Sequence, residues 1–464
     1  MNIFSVIFLF WAMHLASGAE MMPRLVDIGL KDVPQNVLDS GVLERPVVFG
    51  YTYETGIDPS KIPWKSLTHL LLAFFDIDQL GNVTSKNPNL QSIIDPAHKN
   101  GVKIIASIGG AGSTVIGNVL ADKTARARLT TSVVDNIRQH GLDGIDYDYE
   151  FPETTQQIDN LLAGLKSARS AIDSAFGKGK KELTTTLFSS KGQFGPNVPA
   201  VDAKPFSDVV DYGLLMSYDY FGSFSEVSAP NSPFYDIPNH PGLSFTSSIA
   251  AWQKMGWDPK KLVAGLPYYG RTTIINGSPA GRSQFMPSSG VAPPGGPVDK
   301  IAGAWTWTDL RDPRDGALDT PTTAHNGWQR FWDKTTQTPW LYHNVSQTYI
   351  GYDDVDSLSI KARHIIDQGL VGAMIWMVQY DFDDELNSVV RHYSAACTRI
   401  SKQAAELLEQ ESQSDSFENS DDEEMADSED ADSAELSSIK HLNSPTAFIK
   451  LTQSSEGAPT ILSF

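Results

Sequence analysis

"HGLDGIDYDYEFPE", residues 140–153, decides how the chain is read. Asp143, Asp146, Asp148, Glu150 and Glu153 crowd into it, and Tyr147 and Tyr149 alternate with the central acids. A period of two is strand patterning. On a strand, Asp146, Asp148 and Glu150 share one face, and Ile145, Tyr147 and Tyr149 share the other. Like charges this close cannot all ionise cheaply, so protons must be shared along the row. The uppermost acid, Glu150, is then held ready to give a proton near neutral pH, which suits general acid work. A solvated strand end or a calcium loop is the plainer reading. The alternation is wrong for a calcium loop, and "FP" follows Glu150 where further ligands would be needed.

Working outward, short apolar runs bounded by turn residues recur at 46–51, 69–74, 102–107, 142–149, 183–190, 210–218, 261–270 and 369–377. Most are nearly continuous apolar runs, as parallel strands buried on both faces require. Between them lie helix-like segments. Residues 123–141 and 155–177 carry apolar residues at three- and four-residue spacing, and each ends in a glycine, Gly141 or Gly177. Eight strands, each followed by a plausible helix, predict a (β/α)8 barrel of the α/β class. The acids of the fourth strand then point into the barrel and rise toward its C-terminal mouth. A doubly wound open sheet is the alternative. The lack of a Gly-rich loop after the first strand counts against dinucleotide binding.

The seventh gap is far longer than the others and holds Trp305, Trp307, Trp328, Trp332 and Trp340. It reads as a small folded insertion, residues 272–348, walling one side of the mouth. The remaining expectations are a signal peptide at 1–19, an N-terminal extension at 20–45, a catalytic barrel at 46–397 and an acidic, Ser-rich disordered tail at 398–464. The leader rests on a short apolar run ending in Ser17 and Ala19, although it lacks Lys or Arg near Met1. Asn82, Asn276 and Asn344 head Asn-x-Ser/Thr sequons, in keeping with a secreted chain.

The net charge is −20, and residues 402–464 carry 15 Asp and Glu against 3 Lys and Arg. That balance argues against nucleic acid and anionic membranes as partners. The tail run has almost nothing apolar to bury, hence its reading as disordered. Cys397 is the only cysteine, which excludes an intramolecular disulfide and a thiolate metal cluster. No metal or other cofactor is expected, and a monomer is.

With these motifs in place the chain resembles glycoside hydrolase family 18, the chitinase family. The signature Asp-Gly-x-Asp-x-Asp-x-Glu is met by Asp143, Gly144, Asp146, Asp148 and Glu150. Ser-x-Gly-Gly is met by Ser107, Gly109 and Gly110, and Met-x-Tyr-Asp by Met216, Tyr218 and Asp219. "GLPYYGR" (265–271), "YDD" (352–354) and Trp376 match further landmarks, and the likeness runs from about residue 46 to 395. The resemblance implies a secreted enzyme on chitin or chitooligosaccharides, retaining and substrate-assisted. Glu150 would be the general acid and then the base. Asp148 would bind the substrate acetamido group and pair with Glu150. Asp146 would take up the displaced proton, with Tyr51 and Ser107 beneath it. Tyr218 and Asp219 would position the acetamido group. Trp376 would floor the cleavage site, although "AMIWM" also suits an ordinary core tryptophan. Gly110 and Met216 join the substrate-binding set. Arg271 fits a surface ion pair as well as a sugar contact.

Two departures weaken the leaving-group side. Ala111 and Phe224 stand where the family commonly has tryptophan, so sugar stacking there should be looser or built differently. Tyr147 is bulkier than the family's usual aliphatic residue. A chitin-binding lectin and an endo-β-N-acetylglucosaminidase on N-glycans are the competing functions. Glu150 argues against the lectin, and the tryptophan-bearing insertion favours a long groove.

Overall fold

A computed structural model describes residues 29–423 except 45, 278 and 280–282, and side chains as far as 410. The proposed leader and most of the proposed tail lie outside the described residues. The chain divides into two compact units, 1–408 and 409–464. Of the second, only the helical backbone to Glu423 is described.

Seven parallel strands begin the first unit: β1 (Val47–Tyr53), β2 (His69–Ile77), β3 (Lys103–Gly109), β4 (Gly144–Asp148), β5 (Glu182–Leu187), β6 (Tyr212–Leu215) and β7 (Leu262–Pro267). An insertion follows, with β8 (Tyr269–Ile274), β9 (Ala304–Thr306), β10 (Trp328–Asp333), β11 (Thr338–His343) and β12 (Thr348–Gly351). The last barrel strand is β13 (Gly372–Trp376). It pairs with β7 on one side and β1 on the other, and β1 pairs in turn with β2, so the eight-stranded parallel sheet closes on itself. This is the (β/α)8 barrel that the strand pattern predicts.

The helices follow from local sequence. In α1 (Lys123–His140) Asp122 caps the start by accepting from the Ala125 amide, and Gly141 ends the helix at φ +72°. In α2 (Thr155–Phe176) Thr154 and Gln157 form a reciprocal capping box. Its buried Ile158, Leu161, Leu165, Ala168 and Ile172 keep three- and four-residue spacing and face the core. One connection departs from the pattern. After β1 there is no α-helix, only 3-10 turns at Pro59–Lys61 and Trp64–Ser66. Pro59 and Pro63 cannot donate backbone hydrogen bonds, which breaks any longer run.

The insertion is an antiparallel sheet in the order β9-β8-β12-β11-β10, so it starts at Tyr269 and ends at Gly351, slightly wider than the predicted 272–348. Trp307 and Trp340 are buried in it, and Trp305 meets Trp328 edge to face at 5.4 Å. The short helix α3 (Trp307–Arg311) ties this sheet to the loop after β13. Trp307 Nε1 donates to Glu385 at 2.8 Å, and the Thr308 hydroxyl donates to the Tyr380 and Asp381 carbonyls at 3.0 Å. The helix α4 (Val355–Asp367) leads from the insertion back to β13.

A long helix running through residue 400 corrects the expected tail boundary. The α-helix α5 spans Asn387–Glu423. Val389, Val390, Tyr393, Ala396, Cys397 and Ile400 are buried along one of its faces. That spacing continues past residue 398, so a disordered segment cannot begin there. Ala404, Ala405, Leu407 and Leu408 then keep helix propensity high.

Candidate active site

Strand register assembles the site in levels. Ser107 on β3 pairs with Asp146 on β4, and Asp146 with Thr184 on β5. All three side chains meet inside the barrel. Asp146 accepts from the Ser107 hydroxyl at 2.7 Å, the Thr184 hydroxyl at 2.7 Å and the Tyr51 hydroxyl at 2.9 Å. One level higher, Asp148 accepts from the Thr186 hydroxyl at 2.8 Å. Asp148 and Glu150 hydrogen-bond each other above that. The acids therefore form a buried column, and Ile145, Tyr147 and Tyr149 are buried on the opposite face.

The double glycine after β3 fits over this column. Gly109 has φ +109°, and a Cβ there would fall 2.0 Å from the Asp148 carbonyl oxygen. Gly110, at φ +84°, donates its amide to that same oxygen at 2.8 Å. A side chain at Gly109 would push β4 away from β3, and one at Gly110 would strike the Phe74 ring.

Protonation follows from burial and like charge. Burial raises the pKa of Asp146, and its three hydroxyl donors oppose the rise. Asp148 is held well above the usual carboxylate range by burial first, then by the charges of Glu150 and Asp146. Glu150 is pushed up to about 7 by burial and by the charge of Asp219, against a hydrogen bond from Asp148. The proton shared along the column is thus centred on Asp148 and Glu150.

Asp148 and Glu150 open into a cavity of about 320 Å³ whose wall also includes Tyr51, Met216, Tyr218, Asp219, Arg271 and Trp376. Trp376 is partly buried, with its ring 5.2 Å from Tyr51 and 6.1 Å from Phe74. Asp219 lies on the loop after β6 at φ +59°. Arg271 donates to both its carboxylate oxygens at 2.6 Å, and Tyr269 donates to one at 2.6 Å. Arg271 is thus an ion-pair partner inside the cavity wall, not on an open surface. Ile301, Ala304 and Thr306 from the insertion complete that side. A larger cavity of about 920 Å³ runs beside the first 3-10 turns and Arg391, but contains none of these acids.

Other sequence-marked positions stand apart from the cavity. Ser107, grouped with the substrate-binding residues, is fully buried beneath it. Gly110 acts through its backbone, and Asp146 has no exposed surface. In "YDD", Asp353 pairs with the buried Lys361 at 2.7 Å and Asp354 caps α4, so both are structural. Ala111 lines the cavity, and Phe224 is 65% exposed. Tyr147 is fully buried, its hydroxyl has no partner among the described residues, and nothing in the structure explains its size. Sequence reading missed Thr184, Thr186 and Tyr269. For the two threonines the one signal was "LTTTLFSS", where three consecutive hydroxyls, Thr184 to Thr186, interrupt a strand otherwise read as apolar.

Among the described residues no group of His, Cys, Asp and Glu could hold a metal ion, and no helix is long and apolar enough to cross a membrane.

Comparison with known proteins gives the family. Chitinase A1 of Niallia circulans is 27% identical over 335 residues, covering 68% of this chain and 44% of that protein. The chain thus spans under half of that relative's length. A chitinase-like effector of Moniliophthora roreri is 27% identical over 375 residues, covering 72% of this chain and 88% of the relative. A class V chitinase variant from Nicotiana tobaccum, solved in complex with NAG4, superposes with a TM-score of 0.66 at 24% identity, over 75% of this chain and 99% of that one. Residues 47–381, most of the barrel with its insertion, match the family model described as Glycosyl hydrolases family 18. The chain belongs to that family.

Proposed function

We propose that the protein is a chitinase that hydrolyses β-1,4-linked N-acetylglucosamine polymers with retention, by a substrate-assisted mechanism. The observation that carries this reading is the buried column ending in Glu150, whose pKa is pushed up to about 7 at the wall of a sugar-sized cavity beside Trp376. Protonated Glu150 gives its proton to the leaving glycosidic oxygen. The acetamido carbonyl oxygen attacks the anomeric carbon as the carbon–oxygen bond breaks, forming an oxazolinium ring. Asp148 and Tyr218 orient that group over Trp376. Water then opens the ring from the face the leaving group vacated, and Glu150 takes its proton.

Retaining glycosidases ordinarily use a second carboxylate, about 5 Å from the acid, as nucleophile, and family 18 is a known exception. The carboxylates at this cavity fit the exception. Asp148 rises from the same strand as Glu150, and Asp219 is already committed to Arg271 and Tyr269.

A non-catalytic saccharide binder is the second reading, favoured by the relative named as a chitinase-like effector. Incubation with an N-acetylglucosamine hexamer, with products followed over time, separates the two. Shorter oligomers identify the enzyme, and binding without cleavage identifies the lectin. A parallel incubation with a high-mannose glycoprotein tests for N-glycan hydrolysis. Secretion is part of the proposal and rests on the leader and the sequons. Asn344, in the turn between β11 and β12, and Asn276, after β8, are both exposed as glycan acceptors, whereas the Asn82 amide is tied to Asp78 at 2.7 Å. Peptide mapping of the secreted protein tests both points.

A further inference from the structure

The Thr186 hydroxyl touches the upper part of the acidic column. Asp148 has two carboxylate oxygens and two kinds of partner. It hydrogen-bonds Glu150, just past the end of β4, and Thr186 on the neighbouring strand β5 donates to Oδ1 at 2.8 Å. The contact is buried, yet Thr186 also lines the cavity. It repeats, one level up, the arrangement in which Thr184 donates to Asp146 at 2.7 Å. Side chains on the same face of a strand are two residues apart, so the two threonines climb β5 in step with the two aspartates on β4.

We infer that Thr186 is a positioning residue for the reaction: its hydroxyl fixes the rotation of Asp148, so that one carboxylate oxygen is spent on β5 and the other faces Glu150 and the substrate acetamido group. This rests on the proposed substrate-assisted reading, in which Asp148 must accept from that group. A hydroxyl is suited to the task because it can donate to the carboxylate without adding charge to a crowded acidic column. An aliphatic residue of the same size would leave Oδ1 buried without its donor and Asp148 free to turn toward Glu150.

The groups that face Asp148 are Asp146 on β4, Glu150 just past the end of β4, Tyr51 from β1 and Tyr218 beyond β6, while Asp219, paired with Arg271, acts on Glu150. All the carboxylates among them favour a proton on Asp148 or Glu150. Thr186 is a donor that favours the Asp148 anion. Without it the column holds its proton to higher pH, so the first ionisation of the Asp148–Glu150 pair moves upward.

The test compares Thr186→Val, which swaps hydroxyl for methyl, with Thr186→Ser, which keeps the donor. Infrared titration of the protonated carboxyl band, without substrate, should show the first ionisation of the pair raised by about one pH unit in the valine variant and near the parent value in serine. On the N-acetylglucosamine hexamer, kcat should fall about tenfold or more in valine, with a smaller change in KM, and the acid limb of kcat/KM should move to higher pH. If Thr186→Val does not fold, Thr186→Ala carries the same comparison. An unshifted infrared titration in a folded variant lacking the hydroxyl overturns the inference, as does failure of serine to restore it. A parent enzyme that leaves the hexamer intact refutes the chitinase reading instead, and the titration still decides the role of Thr186.

Discussion

In the proposed mechanism Glu150 is where burial and charge are turned into chemistry. Glu150→Gln removes the proton donor and keeps the shape, so the fold should persist while turnover falls roughly 10²–10⁴-fold. Near-normal hydrolysis by that variant would refute the assignment. The pH dependence follows from the same site. The acid must be protonated to act, and its pKa is raised to about 7, so kcat/KM should be lost as pH rises through about 7. Burial and the Asp219 charge hold it there. Asp219→Asn removes the charge, lowers the proton affinity of Glu150, and should move the alkaline limb to lower pH. A pH–rate profile of the variant that keeps the parent limb would show that Asp219 does not set the acid. At this scale the sequence was legible where periodicity carried the information. The alternation of Asp146, Asp148 and Glu150 is enough by itself to put them on a common face. For Thr184 and Thr186 the hydroxyl run marks only a departure from an apolar strand, because their role depends on register with β4, which no local pattern encodes. Arg271 was ambiguous for a related reason: its partner Asp219 lies 52 residues away in the chain.

Among the elements, strands were more legible than their connections. Buried parallel strands must be apolar on both faces, and their sequences say so. The connections answer to local breakers and to distant anchors. One anchor is Lys361 on α4, fully buried, whose ammonium donates to both oxygens of Asp353 and to the Ser232 carbonyl and hydroxyl. Ser232 donates in turn to the Ser217 carbonyl at 2.6 Å, next to Tyr218 and Asp219. Lys361→Met leaves Asp353 buried and unpaired, which should cost about 3–5 kcal/mol. Replacing both partners with apolar residues should recover much of that. Chemical denaturation of the single and paired variants reads the difference, and a stability loss below about 1 kcal/mol in the single variant would contradict this account. The last helix makes the opposite point. Its acidic composition concealed a buried stripe ending at Ile400, because composition averages over faces that a helix separates. Truncation after Leu408 should leave thermal midpoint and activity nearly unchanged, since residues 405–410 are exposed. Truncation before Ala396 removes Cys397 and Ile400 from the core and should destabilise the barrel sharply. Equal melting of the two truncations would show that the stripe contributes nothing.

For the molecule as a whole, the closed barrel fixes which face of a bound sugar each carboxylate meets. Glu150 and Asp148 rise from one strand and approach from one side. Asp219 lies across the mouth but is clamped by Arg271 and Tyr269, both contributed by the insertion strand β8. The insertion thus does more than wall the groove: it takes the remaining cavity carboxylate out of contention as a nucleophile. In the proposed mechanism no carboxylate of the cavity attacks the far face, and the substrate brings its own nucleophile, the carbonyl oxygen of the neighbouring acetamido group. Attack by that oxygen inverts the anomeric carbon once, and ring opening by water inverts it again, so the first products should be β-anomers. Sugars without the acetyl group at the cleavage site have no such oxygen and should not be cut. Rapid NMR of the hydrolysis products, with fully deacetylated chitosan as the control polymer, reads both consequences. Initial α-anomer would mean that water attacks directly, and efficient chitosan cleavage would mean that a protein group supplies the nucleophile. Arg271→Ala makes the second outcome informative about the clamp. Releasing Asp219 from Arg271 should weaken acetamido positioning and lower kcat without conferring chitosan cleavage, because Tyr269 still donates to Asp219 Oδ1.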